Sequence, residues 1–182
     1  MRTLVVTQNV TLDGSIEFLG DWFDPTAEAA DLAAETRRLS ERGDALVLGR
    51  QTFEDFRSYW PKQTDDTTGV TDELNRIDKY VVSSTLTDPD WQHSTILSGD
   101  WLQAVRELKA SDGKEIGVTG SIRLCHALIG AGLVDEYRLF LYPVVQGRGR
   151  RLFPDGYEVP RLRLLDSKHF ANGVALLVYA PA

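Results

Sequence analysis

The stretch that most constrains this chain is Lys114-Glu115-Ile116-Gly117-Val118-Thr119-Gly120-Ser121-Ile122-Arg123-Leu124. A β-rich run, Ile116 to Thr119, stops at Gly120. A helical pattern follows, with Leu124, Leu128 and Ile129 as its apolar positions. Strand, small residues and helix start, in that order, aim several backbone N–H groups at one point. The helix N-terminus adds partial positive charge, so the junction suits an anion such as a phosphate. Gly120 can take a backbone conformation closed to other residues and lets a ligand approach closely. Ser121 can cap the helix with its hydroxyl. The same layout occurs in α/β proteins that bind nothing there, so the junction alone leaves both readings open.

The rest of the chain supplies strands and helices in alternation. Leu4 to Val10 reads as a strand with β-branched residues on both faces, which places it centrally under helices. Leu12-Asp13-Gly14 is a turn. Asp24 reads as the N-cap and Pro25 as the first position of a helix reaching about Arg42 and ended by Gly43. Ala45 to Leu48 is a buried strand, Thr52 to Arg57 a short helix, and Tyr59 to Val70 a polar connection. Lys79 to Ser83 and Ser94 to Leu97 read as strands, and Asp100 caps a helix from Trp101 to about Ala110. The helix after Gly120 runs to near Gly132. Val134 to Val145 is a long strand. Leu162 to Phe170 and Gly173 to Ala180 form a hairpin about Ala171-Asn172-Gly173.

This order predicts a three-layer α/β/α architecture: a mostly parallel central sheet, helices on both faces and antiparallel C-terminal strands. Ligands of such sheets sit at the carboxyl ends of the strands. Those ends are Thr7 to Val10, Gly49-Arg50, Ser83-Ser84 and Thr119-Gly120-Ser121, and three of the four carry groups suited to phosphate.

At 182 residues, one domain spanning 1–182 is expected. The net charge of −7 argues against a nucleic-acid partner, while one local group of arginines still suffices for an anionic cofactor. Cys125 is the single cysteine and can form no internal disulfide, which fits a reducing cytoplasm. The N-terminus is too β-like for a signal peptide, and no apolar run has membrane-spanning length, so no membrane partner is expected. His93, His126 and His169 are isolated, without the spacing of metal ligands. Gly120-Ser121 lies outside any G-x-S-x-G elbow, which disfavours a hydrolase.

Four motifs in register resemble the dihydrofolate reductase superfamily. Leu48-Gly49-Arg50-Gln51-Thr52-Phe53-Glu54 is similar to its Gly-Arg-x-Thr-aromatic-Glu motif, Val81-Val82-Ser83-Ser84 to its strand ending in paired serines, and Ile116 to Arg123 to its pyrophosphate loop. Leu133 to Tyr137, Pro143 to Val145, Gly147 to Phe153 and Leu12-Asp13-Gly14 resemble one branch of it. That branch holds the reductase domain of the bifunctional deaminase–reductase of riboflavin synthesis and its stand-alone relatives. No deaminase Cys-x-x-Cys signature is present.

The resemblance implies a dihydrofolate reductase-like fold and an NADPH-dependent reductase of a small heterocycle, a pteridine or an aminopyrimidinone. A non-catalytic NADP(H)-binding or ligand-sensing protein is the alternative. It implies that Gly49 and Arg50 open a helix at the adenosine end, with Arg50 on the 2′-phosphate; from the residues alone, Arg50 reads as a surface salt-bridge cation. Ser83 and Ser84 would donate to the same phosphate. Thr52 would cap the short helix and meet the phosphates. Thr119, Gly120, Ser121 and Ile122 would line the pyrophosphate, with Arg123 near the 2′-phosphate. Val6, Thr7, Gly14 and Ile16 would lie against the nicotinamide or its covering loop. The branch also implies a homodimer through the C-terminal strands.

The chain departs from that pattern in two places. Ser121 stands where the family has a second glycine, and the resemblance implies a cis Gly120–Ser121 bond. The family's substrate acid follows a Trp on the first helix. Trp22 is present, but simple register puts Ala27 at the acid, and Glu28, Asp31 and Glu35 are the neighbouring carboxylates. Asp31 is the better local match and, facing the cleft, would relay a proton beside Trp22. The family's substrate-side Thr falls near Leu141, with Tyr142 beside it. Arg148, Arg150 and Arg151 could serve a substrate phosphate.

Overall fold

Alternation of side chains decides how the sheet is covered. The computed structural model describes residues 1–24, 29–66, 68–153, 155–158 and 161–182. Its elements in chain order are β1 (Leu4–Thr11), α1 (Ala30–Ser40), β2 (Gly43–Gly49), α2 (Arg50–Tyr59), α3 (Val70–Arg76), β3 (Asp78–Val82), β4 (Ser94–Leu97), α4 (Trp101–Ala110), β5 (Glu115–Thr119), α5 (Ile122–Gly130), β6 (Glu136–Tyr142), β7 (Leu162–His169) and β8 (Ala175–Pro181). The strands form one sheet in the order β4-β3-β2-β5-β1-β6-β8-β7. All pairs from β4 to β6 are parallel, and β8 pairs antiparallel with both β6 and β7. The mostly parallel sheet with an antiparallel C-terminal edge is therefore the one expected, and β1 is central.

The even positions of β1 face one side. Leu4 and Val6 join Ile116, Val118, Val105 of α4 and Leu128 of α5 in the main core. Burying a leucine such as Leu128 completely contributes about 1.5–3 kcal/mol. The other side has two separate clusters. Leu32 and Leu39 of α1 pack on Phe140, Tyr142, Leu176 and Val178, while Phe53 of α2 packs on Leu48 and Val81. Between them, over β1 and β5, the sheet carries Thr7, Asn9, Gly117 and Thr119, none fully buried. Small and polar residues there cannot anchor a covering helix, so a cleft stays open over the centre of the sheet.

The topology sharpens the same point. From β1 the chain crosses to β2, moves outward to β4, returns to β5 beside β1, and then reaches β6 on the far side of β1. The loops leaving β1 and β5 thus part at the middle of the sheet, where open α/β sheets hold ligands.

Several element boundaries differ from expectation. The helix start at Pro25, with Ala27 and Glu28, lies outside the described residues. The described helix begins at Ala30, with Ala29 as an N-cap lacking a side-chain bond, and Asp24 lies in a loop. The helix ends at Ser40, and Gly43 opens β2 instead of terminating α1. The long strand expected from Val134 to Val145 is only Glu136–Tyr142. Pro143 cannot donate to a ladder, and Leu133 and Val134 are buried in the connection before it. Helix α3 falls just after the segment read as a connection, where no helix was expected. Its first turn is held from outside by Asp66, whose carboxylate accepts from the Thr71 N–H at 2.8 Å. No helix among the described residues is long and apolar enough to cross a membrane.

Candidate functional site

The loop after β5 and the start of α2 are tied together. Ser121 N–H donates to Thr52 Oγ1 at 3.0 Å, and Gly49 N–H donates to Ser121 Oγ at 2.9 Å. Gln8 of β1 donates from Nε2 to the Gly120 carbonyl at 2.8 Å, anchoring the loop from below. The Ser121 hydroxyl therefore serves Gly49 and does not cap α5, and Thr52, inside α2, serves Ser121. Helices α2 and α5 both lack a side-chain cap. Two uncapped helix N-termini thus lie side by side, each with first-turn N–H groups and partial positive charge.

The Gly120–Ser121 bond is not cis: no cis peptide occurs among the described residues. The chain turns here by two successive left-handed residues instead, Gly120 at φ +56° and Ser121 at φ +44°. The crowding explains the glycine. A Cβ on Gly120 would come 3.0 Å from Thr52 Cγ2, and one on Gly49 would come 3.3 Å from Ser121 Oγ.

Strand register brings the other expected residues alongside. Gly49 pairs with Val82, so Arg50 and Ser83 leave neighbouring strand ends, and Thr7 pairs with Thr119. Arg50 is half exposed and paired with Glu54 at 3.0 Å, the salt bridge that its residue type alone suggested. The order is the weaker one for a helix, with the cation at the positively charged N-terminal end and the carboxylate one turn later. Local helix stability does not account for an arginine there. Ser83 is buried and its Oγ accepts from the Thr85 and Leu86 N–H groups, leaving its proton to donate; Ser84 is exposed. Ile122 opens α5 half-buried, and Arg123 beside it is exposed.

Two loops are laced together at the end of β1. The Asp13 carboxylate accepts from Thr11 Oγ1 at 2.6 Å, from the Gln146 N–H at 3.1 Å and from the Gly147 N–H at 2.6 Å. These bonds, the Thr11 hydroxyl foremost, hold its pKa down at about 2. Glu17 pairs with Arg150, which lowers the Glu17 pKa and occupies one of the arginines expected for a substrate phosphate. Gln146 is the hub: its side chain donates to Ser15 Oγ and the Glu17 carbonyl and accepts from Trp22 Nε1 at 2.8 Å. Gly14 makes this turn at φ +88°. Ile16 and Val6 are buried in the main core, so neither presents a free surface to a ligand.

The open cleft holds about 780 Å³. Its floor is Thr7, Asn9 and Thr119; Phe23, Phe140 and Tyr142 line it together with α1 on one side, and α3 with residues 59–66 and 68–69 lines it on the other. An inner extension of about 160 Å³ reaches Gly117 and Arg138. Trp22 stands behind this wall, edge-on to Tyr142 at 5.3 Å and fixed by Gln146; it does not line the cleft. Asp31 is not in the cleft either. It is exposed, and its Oδ2 accepts from the Ala171 N–H at 2.9 Å, steadying the C-terminal hairpin. The carboxylate that reaches both cavities is Glu73 of α3. Sequence reading missed Glu73, Gln146 and Gln8, because each acquires its role from contacts far away in the chain; only the position of Gln8 at a strand's carboxyl end hinted at it.

Cys125 lies under this loop, its thiol within 3.5 Å of the Gly120 carbonyl and pushed up to about 11 by burial. It is a packing residue, as expected.

A model of the RibD C-terminal domain family matches residues 2–176. An uncharacterized protein of Bacillus subtilis, YyaP, is 33% identical over 187 residues, covering 98% of this chain and 94% of its own length. A second from that organism, YwjB, is 26% identical, covering 90% of this chain and 86% of its own. A putative riboflavin biosynthesis protein from Shewanella sp. PV-4 superposes with a TM-score of 0.73 at 20% identity, covering 99% of both chains. A diaminohydroxyphosphoribosylaminopyrimidine deaminase/5-amino-6-(5-phosphoribosylamino)uracil reductase from Thermotoga maritima gives 0.68 at 17% identity, over 99% of this chain and 56% of its own. With nearly its whole length matched by the family model and this dihydrofolate reductase-like fold, the chain belongs to the RibD C-terminal domain family.

Proposed function

We propose that the protein is an NADPH-dependent reductase of a small nitrogen heterocycle, a pteridine or an aminopyrimidinone. The observation that carries this reading is the pair of uncapped helix N-termini, α2 and α5, cross-tied through Gly49, Thr52 and Ser121 beside an open cleft. The crowding of a Cβ at Gly49 and Gly120 against the Ser121 and Thr52 side chains supports close packing of the two loops at this point. The residues fit a dinucleotide that bears phosphates. The first-turn N–H groups of both helices would hold the pyrophosphate. Arg50, with Ser83 and Ser84 next to it, would hold the 2′-phosphate, and a planar guanidinium suits that group. Family membership supports the reductase class.

When bound, the cofactor supplies a hydride to a carbon of the substrate. The chain's own part is positional. Thr7 and Thr119 offer hydroxyls from the cleft floor, and Phe23 and Tyr142 offer an aromatic wall for a flat ring. The braced loops at Asp13 and Gln146 fix that wall through Trp22. Titration with NADPH and NADH, followed by cofactor oxidation with dihydrofolate and with the riboflavin-pathway aminopyrimidine, tests the reading. Failure to bind NADPH would overturn it.

The same reading proposes a homodimer. Strand β7 is the edge strand on the C-terminal side of the sheet and exposes Leu164 and Leu165. Light scattering should show a dimer that Leu164→Lys dissociates; a monomer at micromolar concentration would refute it.

A further inference from the structure

Four cationic side chains among the described residues are buried: Arg2, Lys79, Lys109 and Arg138. Three of them have carboxylate partners. Arg2 pairs with Asp44, Lys109 with Asp135, and Arg138 with Glu115 and Glu136. Lys79, the most buried at 1% exposure, makes no ion pair among the described residues. Its Nζ donates to the Leu74 and Ile77 carbonyls at 2.6 and 2.8 Å, at the end of α3, and stands 4.6 Å from the centre of the Trp91 ring. All three partners are uncharged. The charged groups on the elements around Lys79 are engaged elsewhere. Asp78 and His93 face each other at 3.8 Å near the surface, and Arg57 lies over Phe53 and donates to the Pro89 carbonyl. Glu73 and Arg76 of α3 line the cleft. Burial pushes the Lys79 pKa down from 10.5 to about 8, against the opposing pull of Asp78. At neutral pH Lys79 is therefore a buried ammonium that gains by reaching water.

Helix α3 is the element that stands between this ammonium and water. It has 7 residues, too few to hold a helix by themselves. Its buried anchors, Leu74 and Ile77 just past its end, belong to none of the three apolar clusters. Its other ties are polar: Asp66 holds the Thr71 N–H, and Asn75 Oδ1 accepts from Trp91 Nε1 at 2.9 Å. Water replaces such ties at little net cost. We propose that α3 is the side of the cleft that opens, and that Lys79 is the positioning residue that makes it open: the last turn lifts, the ammonium is hydrated, and the inner cavity bounded by Leu46, Glu73 and Ile77 widens into the outer cleft. The closed form holds the Lys79 proton less tightly than the open form. Opening is therefore favoured up to about pH 8 and loses ground between there and 10.5. None of this rests on the reductase reading.

The test is trace acetylation of the unsubstituted protein with acetic anhydride, read lysine by lysine by mass spectrometry. Lys109 of α4 is the control, since it is the less buried of the two but paired with Asp135. Lys79 should react about tenfold or more faster than Lys109, at a rate that urea does not change below the unfolding transition. Acetylation needs the neutral amine of the open form, so the Lys79 rate should level off above about pH 8, while that of a lysine in a short peptide keeps rising towards about pH 10. Asp66→Ala removes the tie at the other end of α3 and should speed Lys79 about fivefold or more without moving Lys109. Acetylation of Lys79 no faster than that of Lys109, with both following global unfolding, would overturn the proposal. So would a Lys79 rate that tracks the peptide across the pH range, or one that Asp66→Ala leaves unchanged.

Discussion

Replacing Arg50 with alanine separates the phosphate-reading role of this residue from a structural one. The guanidinium is half exposed, and its pair with Glu54 at 3.0 Å is an i,i+4 surface contact worth about 0.3–0.5 kcal/mol. A hydrogen bond to a charged group is worth about 1.5–3 kcal/mol. Giving up Glu54 to engage a 2′-phosphate therefore leaves a net gain of about 1–2.5 kcal/mol. Arg50→Ala should then weaken NADPH by roughly 5- to 70-fold and leave NADH within about twofold. Glu54→Gln releases the guanidinium in advance and should tighten NADPH by about twofold. Salt should weaken NADPH more than NADH in the unsubstituted protein, and that difference should vanish in Arg50→Ala. Alanine is a good helix former, so the melting temperature should not fall. Fluorescence titration of both cofactors at two salt concentrations provides the data. Equal losses for NADPH and NADH would refute the assignment.

Gly120→Ala should destabilise the protein by about 1–2 kcal/mol, the cost of a left-handed non-glycine residue, before its contact with Thr52 is counted; thermal unfolding measures it. The pKa of Glu35 is held down at about 2, chiefly by its bonds to Arg38, and that of Asp13 also lies at about 2. Both values lie below those of the unfolded chain, so these groups stabilise the fold above about pH 4.5 and lose that effect as pH falls towards 2. Urea midpoints should drop across that window, and less steeply in Glu35→Gln. Because its thiol is buried and raised to about 11, Cys125 should resist alkylation at neutral pH in the native protein and react at once in denaturant. Rapid native labelling would contradict this placement.

Much of the fold was written in local signals. Strand β4 and helix α4 have the boundaries that their sequence suggests, and Asp100 caps α4 by accepting from the Gln103 N–H. Gly173, at φ +83°, turns the C-terminal hairpin as Asn172-Gly173 implies. The residues expected around a phosphate-bearing ligand come to neighbouring strand ends because parallel strands share a direction, so every strand-end loop opens on the same edge. What local patterns could not supply was the partner of each side chain. Helix α3 has only Val70 and Leu74 as apolar anchors in a polar stretch, and its first turn depends on Asp66 outside it. Asp31 looked suited to the cleft because it follows Trp22 on the first helix, but a hairpin 140 residues away claims its carboxylate. The cis bond expected at Ser121 gave way to two left-handed residues, a choice set by the Thr52 and Gly49 contacts and not by the loop's own residues.

The sheet is finished on one side and left open on the other. Folding rests largely on the layer beneath α4 and α5, which contains none of the cleft's floor. Changes at exposed cleft-lining positions of α1 and α3, or at residues 59–66 and 68–69, can therefore alter what the pocket accepts while the foundation stays intact. A lineage built on this chain would be free to try new chemistries without first having to survive unfolding.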